Sequence, residues 1–430
     1  VLALCLGAAL DRPGVEAEGA ELVREDGLEP RHGRAEDPFL HGIPGRSHST
    51  AGFSYPVVRM QIGFEAKRIF HNTTGLGNYA RDVVRVLARY APQHRYHAYT
   101  PRAGRLHPDL QGLPIDVHVP TGPVGRALPA LWRTRGVVSD LVRDGIDVYH
   151  GLSFELPVGI ERTRIAKVVT VPDLIFEQKP ELYGRIDRMI YRAKTQSACR
   201  RADLVVSISA ESAGYITALY GVPREKIRVV FPTINRVFRA PVPEDRLREV
   251  AARLGTPARF IVAVGTIEKR KNLAVAVEAL AGLDPDVHLL AVGRATPYVD
   301  ELRAVARRCG VEARVRFLHG LPTPDMLALV HLAKVAVYPS KLEGFGLPIL
   351  EALAAGTPMV TTRGGCFEEA GGDAAAYSNP DDPASVREAL ASVLGDEARR
   401  QAMIARGLAH AARFDDDEIA RQLLAVYDEA

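Results

Sequence analysis

Two glutamates flank a glycine-rich stretch in the last third of the chain. Glu343 and Glu351 bracket the sequence Gly-Phe-Gly-Leu-Pro-Ile-Leu. The apolar run 335–338 before them predicts a buried strand, and Pro348 suits the first turn of a helix, where its missing N–H breaks no hydrogen bond. Free amides at a helix N-terminus bind anions such as a diphosphate. The pattern therefore predicts a site for a ligand with phosphates and vicinal hydroxyls, such as a sugar nucleotide.

This stretch resembles the signature of the retaining glycosyltransferases of family 4, a mannosyltransferase-like group 1 family with the GT-B fold. The resemblance implies that Glu343 contacts the donor sugar and that Glu351 holds the ribose hydroxyls. It also implies that the backbone of the turn contacts sugar and diphosphate through Gly344, Phe345, Gly346 and Leu347. Without the glycines, the spacing of two acids is common, and Glu351 would then only complement the helix dipole.

A basic segment follows an earlier predicted strand. The strand ends at Gly265, and Arg270 and Lys271 follow before the next predicted helix. Cations between the carboxyl end of a strand and a helix start lie where α/β sheets bind diphosphates. The resemblance assigns Arg270 and Lys271 to neutralising the departing diphosphate, although many family members carry an arginine at the position of Thr266. Arg294, after another strand, is a weaker candidate for contact with base or phosphate. A solvated basic loop is the alternative.

Two further glycines, Gly75 and Gly77, are predicted to precede the first long helix, where they would allow a ligand to approach the backbone. The string also fits a G-x-G-x-x-A dinucleotide motif. However, polar residues 71–74 separate it from the strand, and no acid for a ribose lies between Asp82 and Asp109. The resemblance implies instead a loop that closes over the donor phosphates and borders the acceptor. A purely structural turn remains open.

Asp173 follows a predicted strand at a place where family members carry His-Asp-Leu. Here Pro172 replaces the histidine that faces the donor sugar. The resemblance keeps Asp173 in the catalytic region, and a turn or helix cap is the equal alternative. Either the site works without the histidine, or another group such as His150 replaces it, or activity is weakened.

Composition bounds the remaining classes of function. The chain has 430 residues, 25% of them charged, and a net charge of +3. These values are typical of a globular protein with two or three domains and favour no nucleic-acid partner. Four scattered cysteines indicate a reducing compartment rather than a disulfide framework or a zinc site. No apolar run approaches the ~20 residues that span a bilayer. Motifs of metalloproteases, P-loop proteins and α/β hydrolases are missing.

Alternating short β-branched runs and amphipathic stretches predict an α/β protein with two doubly wound Rossmann-like domains facing a cleft. The resemblance implies that this architecture is the GT-B fold. Residues 236–257, charged and containing two prolines, suggest a linker. The predicted strands are 62–65, 96–100, 147–150, 167–171, 204–208, 228–231, 260–264, 287–292, 315–318, 335–338 and 359–362. The predicted domains are a disordered or misassigned extension (1–59) and two α/β domains (60–237 and 258–408). The resemblance implies that the first is an acceptor-side domain, that the second is a nucleotide-sugar-binding domain, and that a C-terminal helix (409–430) packs back towards the N-terminal domain.

The resemblance implies a retaining transferase that moves a hexose, mannose or glucose, onto a carbohydrate or lipid-linked acceptor in envelope polysaccharide or glycoconjugate synthesis. The donor would be of the GDP-mannose or UDP-glucose type, with no metal and no permanently bound cofactor. The alternatives are a sugar-nucleotide epimerase, a phosphorylase or a catalytically weakened sugar-nucleotide-binding protein.

A cytoplasmic location is expected, with peripheral contact to the inner face of the membrane as a further hypothesis. That contact would use a basic helix and the segment 128–135 around Trp132. The basic residues of the helix are Arg185, Arg188, Arg192 and Lys194.

Overall fold

In a computed structural model of the protein, residues 59–72, 75–102 and 104–430 are described. The chain divides into two compact units. The first is formed by the chain up to Val230 together with Ala420–Ala430, and the second by Phe231–Ile419. The predicted extension 1–59 lies, apart from its last residue, outside the described residues.

The first unit is built on a parallel sheet of seven strands in the order β3-β2-β1-β4-β5-β6-β7. The chain runs outward from β1 to β3 and then returns to the other side of β1. The direction of winding therefore reverses between β1 and β4. The strands are β1 (Gln61–Glu65), β2 (Arg95–Tyr99), β3 (Ile115–His118), β4 (Val148–Gly151), β5 (Ala166–Val171), β6 (Leu204–Ser207) and β7 (Ile227–Val229).

Long crossover segments connect these strands, as parallel pairing requires. Four of the six contain α-helices, whereas in the described residues the segments from β2 to β3 and from β4 to β5 contain only 3-10 turns. Trp132–Gly136 forms a π-helical turn between α4 and α5. The helices are α1 (Lys67–His71), α2 (Gly75–Tyr90), α3 (Pro123–Ala127), α4 (Pro129–Leu131), α5 (Val137–Arg143), α6 (Ile175–Gln178), α7 (Arg185–Arg201) and α8 (Ala210–Tyr220).

The second unit repeats the plan with six parallel strands in the order β10-β9-β8-β11-β12-β13. Its winding reverses between β8 and β11, which pair directly. The strands are β8 (Arg259–Val264), β9 (Val287–Val292), β10 (Val315–Leu318), β11 (Val335–Tyr338), β12 (Met359–Thr362) and β13 (Ala376–Ser378).

Nine helices from Glu244 onward are described for the rest of the chain. The last of them lies within the predicted terminal segment 409–430 but begins only at Asp416, because Glu397–Ala411 belongs to the preceding helix. Residues from Ala420 onward cluster with the first unit. The helices are α9 (Glu244–Leu254), α10 (Leu273–Leu280), α11 (Tyr298–Arg308), α12 (Thr323–Leu332), α13 (Leu347–Ala354), α14 (Gly365–Gly371), α15 (Pro383–Leu394), α16 (Glu397–Ala411) and α17 (Asp416–Glu429).

Central strands are buried on both faces, which explains their continuous apolar runs. Every residue of β11 is buried, and Val335 and Val337 belong to the same apolar core as the strands beside them. Each predicted strand is present, with ends that differ by at most two residues. Both unpredicted strands, β3 and β13, lie at sheet edges and are short. Edge strands need no two-sided apolar pattern, so the sequence carries little signal for them.

The predicted linker 236–257 is wrong. Arg236–Arg239 forms a 3-10 turn and Glu244–Leu254 forms helix α9, both within the second unit. The helix buries Val250 and presents charged residues on its other faces. Its high charge reflects an amphipathic surface helix that follows a proline, rather than a connecting segment.

Gly75 and Gly77 lie in the first turn of α2 instead of preceding it. The backbone N–H of Gly77 donates to Oδ1 of Asn72 at 3.2 Å. A Cβ atom at Gly77 would lie 2.0 Å from the backbone oxygen of Asn72, whereas one at Gly75 would meet nothing within 4 Å. Glycine at position 77 is therefore required by the close packing of two backbone segments.

This difference predicts opposite outcomes for two matched variants. Gly77→Ala should destabilise the protein by about 2 kcal/mol, because the clash is with rigid backbone. Gly75→Ala should change stability by no more than about 0.5 kcal/mol. Urea unfolding followed by circular dichroism measures both. Equal stability of the two variants would contradict the packing role of Gly77.

Candidate functional site

Glu343 is the centre of a buried polar cluster in the second unit, with a side chain that is 10% exposed. Its Oε1 accepts hydrogen bonds from Lys271 Nζ at 2.5 Å and from Ser340 Oγ at 2.7 Å. The hydroxyl of Tyr338 donates to the same oxygen at 2.8 Å. Its Oε2 lies 2.6 Å from Nη1 of Arg270. Both predicted cations therefore contact the first predicted acid.

Sheet topology brings these residues together. Strands β8 and β11 are parallel neighbours, so the segments after their carboxyl ends lie at the same edge of the sheet. Arg270 and Lys271 belong to a 3-10 turn after β8, and Glu343 follows β11. Two hydrogen bonds join these segments, because the backbone oxygen of Arg270 accepts from Lys341 N and from Ser340 Oγ at 3.2 Å each. Such a reversal of winding is where open α/β sheets bind ligands.

Electrostatics hold the carboxylate of Glu343 ionised. Burial alone would raise its pKa, but Lys271 and Arg270 lower it to about 2. Burial opposes the charge of Arg270 as well, yet the carboxylate of Glu343 raises the pKa of that guanidinium. For Lys271, burial dominates and lowers the pKa of the ammonium group. The cluster is thus a set of desolvated charges whose protonation states depend on one another.

Arg270 has further partners. Its Nη2 donates to Oε1 of Glu268 at 2.8 Å, and its Nη1 donates to the backbone oxygen of Leu342 at 2.7 Å. Glu268, Tyr338 and Ser340 were not predicted to belong to the site. Only the position of Tyr338 in the sequence could have indicated its place in the site, because it is the last residue of a predicted strand. An anion that binds these cations has to compete with carboxylates already in place.

The glycine turn leads into α13 as predicted. Gly346 precedes the helix with φ of 107°, a conformation that favours glycine. Phe345 is 3% exposed, and its ring packs 5.4 Å from that of Phe231 and 5.9 Å from that of Phe414. The ring of Phe345 is therefore part of the core and is not available to a ligand. Gly344 is buried and Leu347 is half-buried.

Tyr338 lies between the two predicted acids. It hydrogen-bonds Glu343, and it lines a small cavity together with Glu351 and Pro348. A second small cavity joins Tyr338 to Lys271 and Gly265. Tyr338 therefore lies close to Glu343, to Lys271 of the basic turn and to the first turns of α13.

Arg294 is less closely associated with this cluster. It follows β9 and is exposed, and in the described part of the chain no hydrogen bond joins its side chain to Glu343 or its partners. The two loops meet through the N–H of Ile267, which donates to the backbone oxygen of Arg294 at 3.0 Å, and through the hydroxyl of Thr296, which donates to the backbone oxygen of Ile267 at 2.5 Å. A Cβ atom at Gly293 would lie 1.9 Å from the backbone oxygen of Gly265, so the loops after β8 and β9 are in close contact.

In the first unit, Asp173 follows β5 and Pro172. Its Oδ1 accepts from the backbone N–H of Ile175, the first residue of the short helix α6, at 3.1 Å. His150 cannot replace the missing histidine. It has no exposed surface, and its ring nitrogens lie 2.8 Å from the hydroxyls of Tyr427 and Thr170. Burial lowers its pKa to about 3, so it is a neutral core residue.

Trp132 is buried, so its ring takes no part in the predicted membrane contact. Trp132 is 6% exposed and donates its indole N–H to Asp140 at 2.7 Å. On α7, Arg192 and Lys194 pair with carboxylates of the same unit at 2.6 and 3.1 Å. Ile186 is exposed by 67%. Among the described residues, no helix has both the length and the apolar composition that a membrane crossing needs.

Two family profiles match the chain in succession. "Glycosyltransferase Family 4" matches residues 73–237 and "Glycosyl transferases group 1" matches residues 248–410. The chain belongs to the group 1 glycosyltransferases of the family 4 type. The two matches follow the division into units and together include every predicted site residue.

Curated relatives of this glycosyltransferase family match over part of their length. O-antigen chain mannosyltransferase B of Escherichia coli is 29% identical over 285 residues, 65% of this chain and 74% of that protein. D-inositol 3-phosphate glycosyltransferase of Xylanimonas cellulosilytica is 33% identical over 264 residues, 58% of this chain. That match spans 61% of the relative, less than two thirds of its length.

Solved structures show that the fold is GT-B, as predicted. HepE of Anabaena, in complex with UDP and glucose, aligns with a TM-score of 0.68 at 20% identity, covering 86% of this chain and all of HepE. Sucrose-phosphate synthase of Thermosynechococcus elongatus aligns with a TM-score of 0.66 at 20% identity, covering 86% of this chain and 99% of the synthase.

Proposed function

We propose that this glycosyltransferase moves a hexosyl unit from a nucleotide diphosphate sugar to a carbohydrate or lipid-linked acceptor, with retention of configuration. The observation that carries the proposal is the contact of Arg270 and Lys271 with Glu343, next to the glycine turn that begins α13. Two cations and a helix N-terminus suit a diphosphate, and a buried acid among them suits a sugar hydroxyl.

Each group has a role in the proposed reaction. As the bond from sugar to diphosphate breaks, negative charge grows on the leaving diphosphate. Arg270, Lys271 and the amides of 344–347 stabilise that charge, which is the kind of preorganised electrostatics that often dominates catalysis. Glu343 orients the donor sugar and Glu351 binds the ribose. No residue is proposed as a nucleophile, so the acceptor attacks from the face that the diphosphate leaves.

Residues of the first unit complete the proposal through the family resemblance. Gly75 and Gly77 would border the phosphates and the acceptor, although the N–H of Gly77 is already engaged. Asp173 would act near the donor sugar besides its hydrogen bond to the N–H of Ile175. A lipid-linked acceptor is supported by the exposed Ile186 next to the exposed Arg185 on α7. Co-sedimentation with anionic vesicles, lost in Ile186→Glu, tests that part.

The donor is proposed to be of the UDP-glucose or GDP-mannose type. HepE was solved with UDP-glucose, and the E. coli relative is a mannosyltransferase. A panel of nucleotide sugars tested by thermal shift should show one donor that raises the melting temperature, because a ligand that binds only the folded state stabilises it. NMR of the product then reads the anomeric configuration. No stabilisation by any nucleotide sugar, or an inverted product, would contradict the proposal.

Pro172 favours a second candidate, a protein that binds sugar nucleotides without efficient transfer. Under this alternative, Pro172→His would create transfer activity where the natural chain has none. Incubation with donor alone distinguishes the transferase and the sugar-nucleotide-binding protein from an epimerase, because only an epimerase would convert the donor without an acceptor.

A further inference from the structure

The hydroxyl of Tyr338 lies between a cation and an acid of the candidate site. Tyr338 is the last residue of β11 and is 4% exposed. Its hydroxyl accepts a hydrogen bond from Nζ of Lys271 and donates one to Oε1 of Glu343 at 2.8 Å. Nζ of Lys271 also lies 4.7 Å from the centre of the tyrosine ring. The phenol is therefore a neutral link between two buried charges.

This phenol remains protonated in the neutral and mildly alkaline pH range. Burial and the neighbouring carboxylate of Glu343 raise the pKa of Tyr338 well above its ordinary value. A phenolate beside an ionised carboxylate would be unfavourable, because like charges repel. The hydroxyl hydrogen is therefore kept for Glu343, and the oxygen accepts from the ammonium group of Lys271.

The ammonium group of Lys271 has one more donor than these partners use. An ammonium group carries three N–H donors. Within the described part of the chain, the structure shows two acceptors, Oε1 of Glu343 at 2.5 Å and the hydroxyl of Tyr338. A leaving diphosphate can therefore accept the third N–H without first displacing Glu343.

Both acceptors are held in place by the surrounding structure. The backbone oxygen of Tyr338 accepts from Oγ1 of Thr361 on the neighbouring strand β12 at 2.8 Å. The carboxylate of Glu343 is bound by Ser340 and Arg270 as well. Side chains on strands are placed more precisely than side chains on loops. With two fixed acceptors, the third N–H of the ammonium group has a defined direction.

We propose that Tyr338 is a positioning residue for the transfer, with a hydroxyl that orients the ammonium group of Lys271 so that one N–H points at the leaving diphosphate. The inference rests on the proposed function, in which Lys271 stabilises the charge of that diphosphate. Tyr338 acts through Lys271 rather than on the donor. Without the hydroxyl, the ammonium group keeps one acceptor in the cluster and can rotate about that hydrogen bond.

Tyr338→Phe tests this role because it removes the hydroxyl and keeps the ring beside Lys271. The turnover rate at saturating donor should fall about tenfold or more, whereas KM for the donor should change less than about threefold. The reason for this split is that the orientation of the ammonium group matters most when charge develops on the diphosphate.

Tyr96→Phe is the matched control in the first unit. Tyr96 has no exposed surface, and its hydroxyl donates to the backbone oxygens of Leu87 and Ala91 at 2.9 and 2.7 Å. The variant also loses the hydrogen bonds of a buried phenol, so its melting temperature should fall, but its transfer kinetics should stay natural. Circular dichroism verifies that both variants are folded.

The pH profile gives a readout that a loss of stability alone would not move. Burial lowers the pKa of Lys271. Of its charged neighbours, Glu343 and Glu268 oppose this shift and Arg270 adds to it. Transfer needs the ammonium form, so kcat/KM should fall as pH rises through this pKa. Removing the phenol oxygen destabilises the charged form, so the fall should lie about one pH unit lower in Tyr338→Phe.

Lys271→Met identifies the group that titrates, because the alkaline fall that belongs to Lys271 should be absent in this variant. Titration of the donor itself is common to all variants and cancels in the comparison.

Pyrophosphate binding separates this inference from the proposed function, because it needs no turnover. Pyrophosphate carries the charge that the leaving group develops, so Tyr338→Phe should bind it about tenfold more weakly than the natural protein and Tyr96→Phe. The rise in melting temperature with pyrophosphate concentration measures this difference. If no nucleotide sugar is used by the natural protein, the proposed transfer fails, whereas tenfold weaker pyrophosphate binding still supports the positioning role.

Two results would overturn the inference. The first is a Tyr338→Phe enzyme with the turnover rate and the alkaline pH profile of Tyr96→Phe, which would leave the proposed transfer intact. The second is equal stabilisation of Tyr338→Phe and the natural protein by pyrophosphate, including no stabilisation of either.

Discussion

Replacing Lys271 by methionine is expected to slow glycosyl transfer by about two to three orders of magnitude. Methionine keeps most of the length of the side chain and removes the charge. The leaving diphosphate then loses one of its two proposed cationic partners in a buried site, where electrostatic interactions are strong. Arg270 remains in contact with Glu343, so the site keeps one ion pair.

The expected loss is mainly in the rate at saturating donor, because the interaction strengthens as charge develops on the diphosphate. Steady-state kinetics with the donor found by the thermal-shift panel measure it. Lys269→Met is the matched control, since Lys269 belongs to the same 3-10 turn but its side chain is 71% exposed. A Lys271→Met enzyme within threefold of the natural rate would exclude the assigned role of Lys271.

Glu343→Gln is expected to destabilise the second unit by about 3 kcal/mol at neutral pH. The amide keeps the shape of the side chain but leaves Lys271 without its buried counter-ion. Arg270 retains Glu268 at 2.8 Å, which limits the loss. Transfer should also fall strongly, because the amide no longer supplies the proposed acceptor for a sugar hydroxyl.

The same variant tests the pH dependence of stability. The pKa of Glu343 is about 2 in the folded protein and 4.5 ordinarily. A depressed pKa in the folded state means that the stabilisation is complete above about pH 4.5 and is lost as pH falls towards 2. The difference in unfolding free energy between the natural protein and Glu343→Gln should therefore shrink over that range. Urea unfolding at pH 7 and at pH 3 measures the change.

An added anion provides a second readout. Pyrophosphate should raise the melting temperature of Glu343→Gln more than that of the natural protein, because it no longer competes with the carboxylate for Lys271. Glu301→Gln is the matched control, with a side chain that is 54% exposed and paired with Lys269. Surface pairs of this kind contribute little, so its stability should stay within about 0.5 kcal/mol. Equal stability of Glu343→Gln and Glu301→Gln would contradict the role of the buried cluster.

Local sequence pattern was sufficient to predict the central strands and the two turns of the candidate site. The apolar run at 335–338, Gly346 and Pro348 are each favoured by the conformation or burial of their own part of the backbone. Burial on both faces, a positive φ and a missing N–H act on the residue that carries them. The edge strands β3 and β13 are under no such constraint and left no pattern.

By itself, the sequence determined every strand except β3 and β13, the place where the glycine turn begins α13, and which acids and cations follow strand ends. Only the tertiary structure decided that β8 pairs with β11, which places Lys271 on Glu343 across 72 residues of chain. It also decided that His150 and Trp132 are core residues and that the hydroxyl of Tyr338 lies between the two charges. The physical reason is that periodicity and propensity act between near neighbours in the chain. Strand pairing, burial and pKa values depend on residues that only folding brings together.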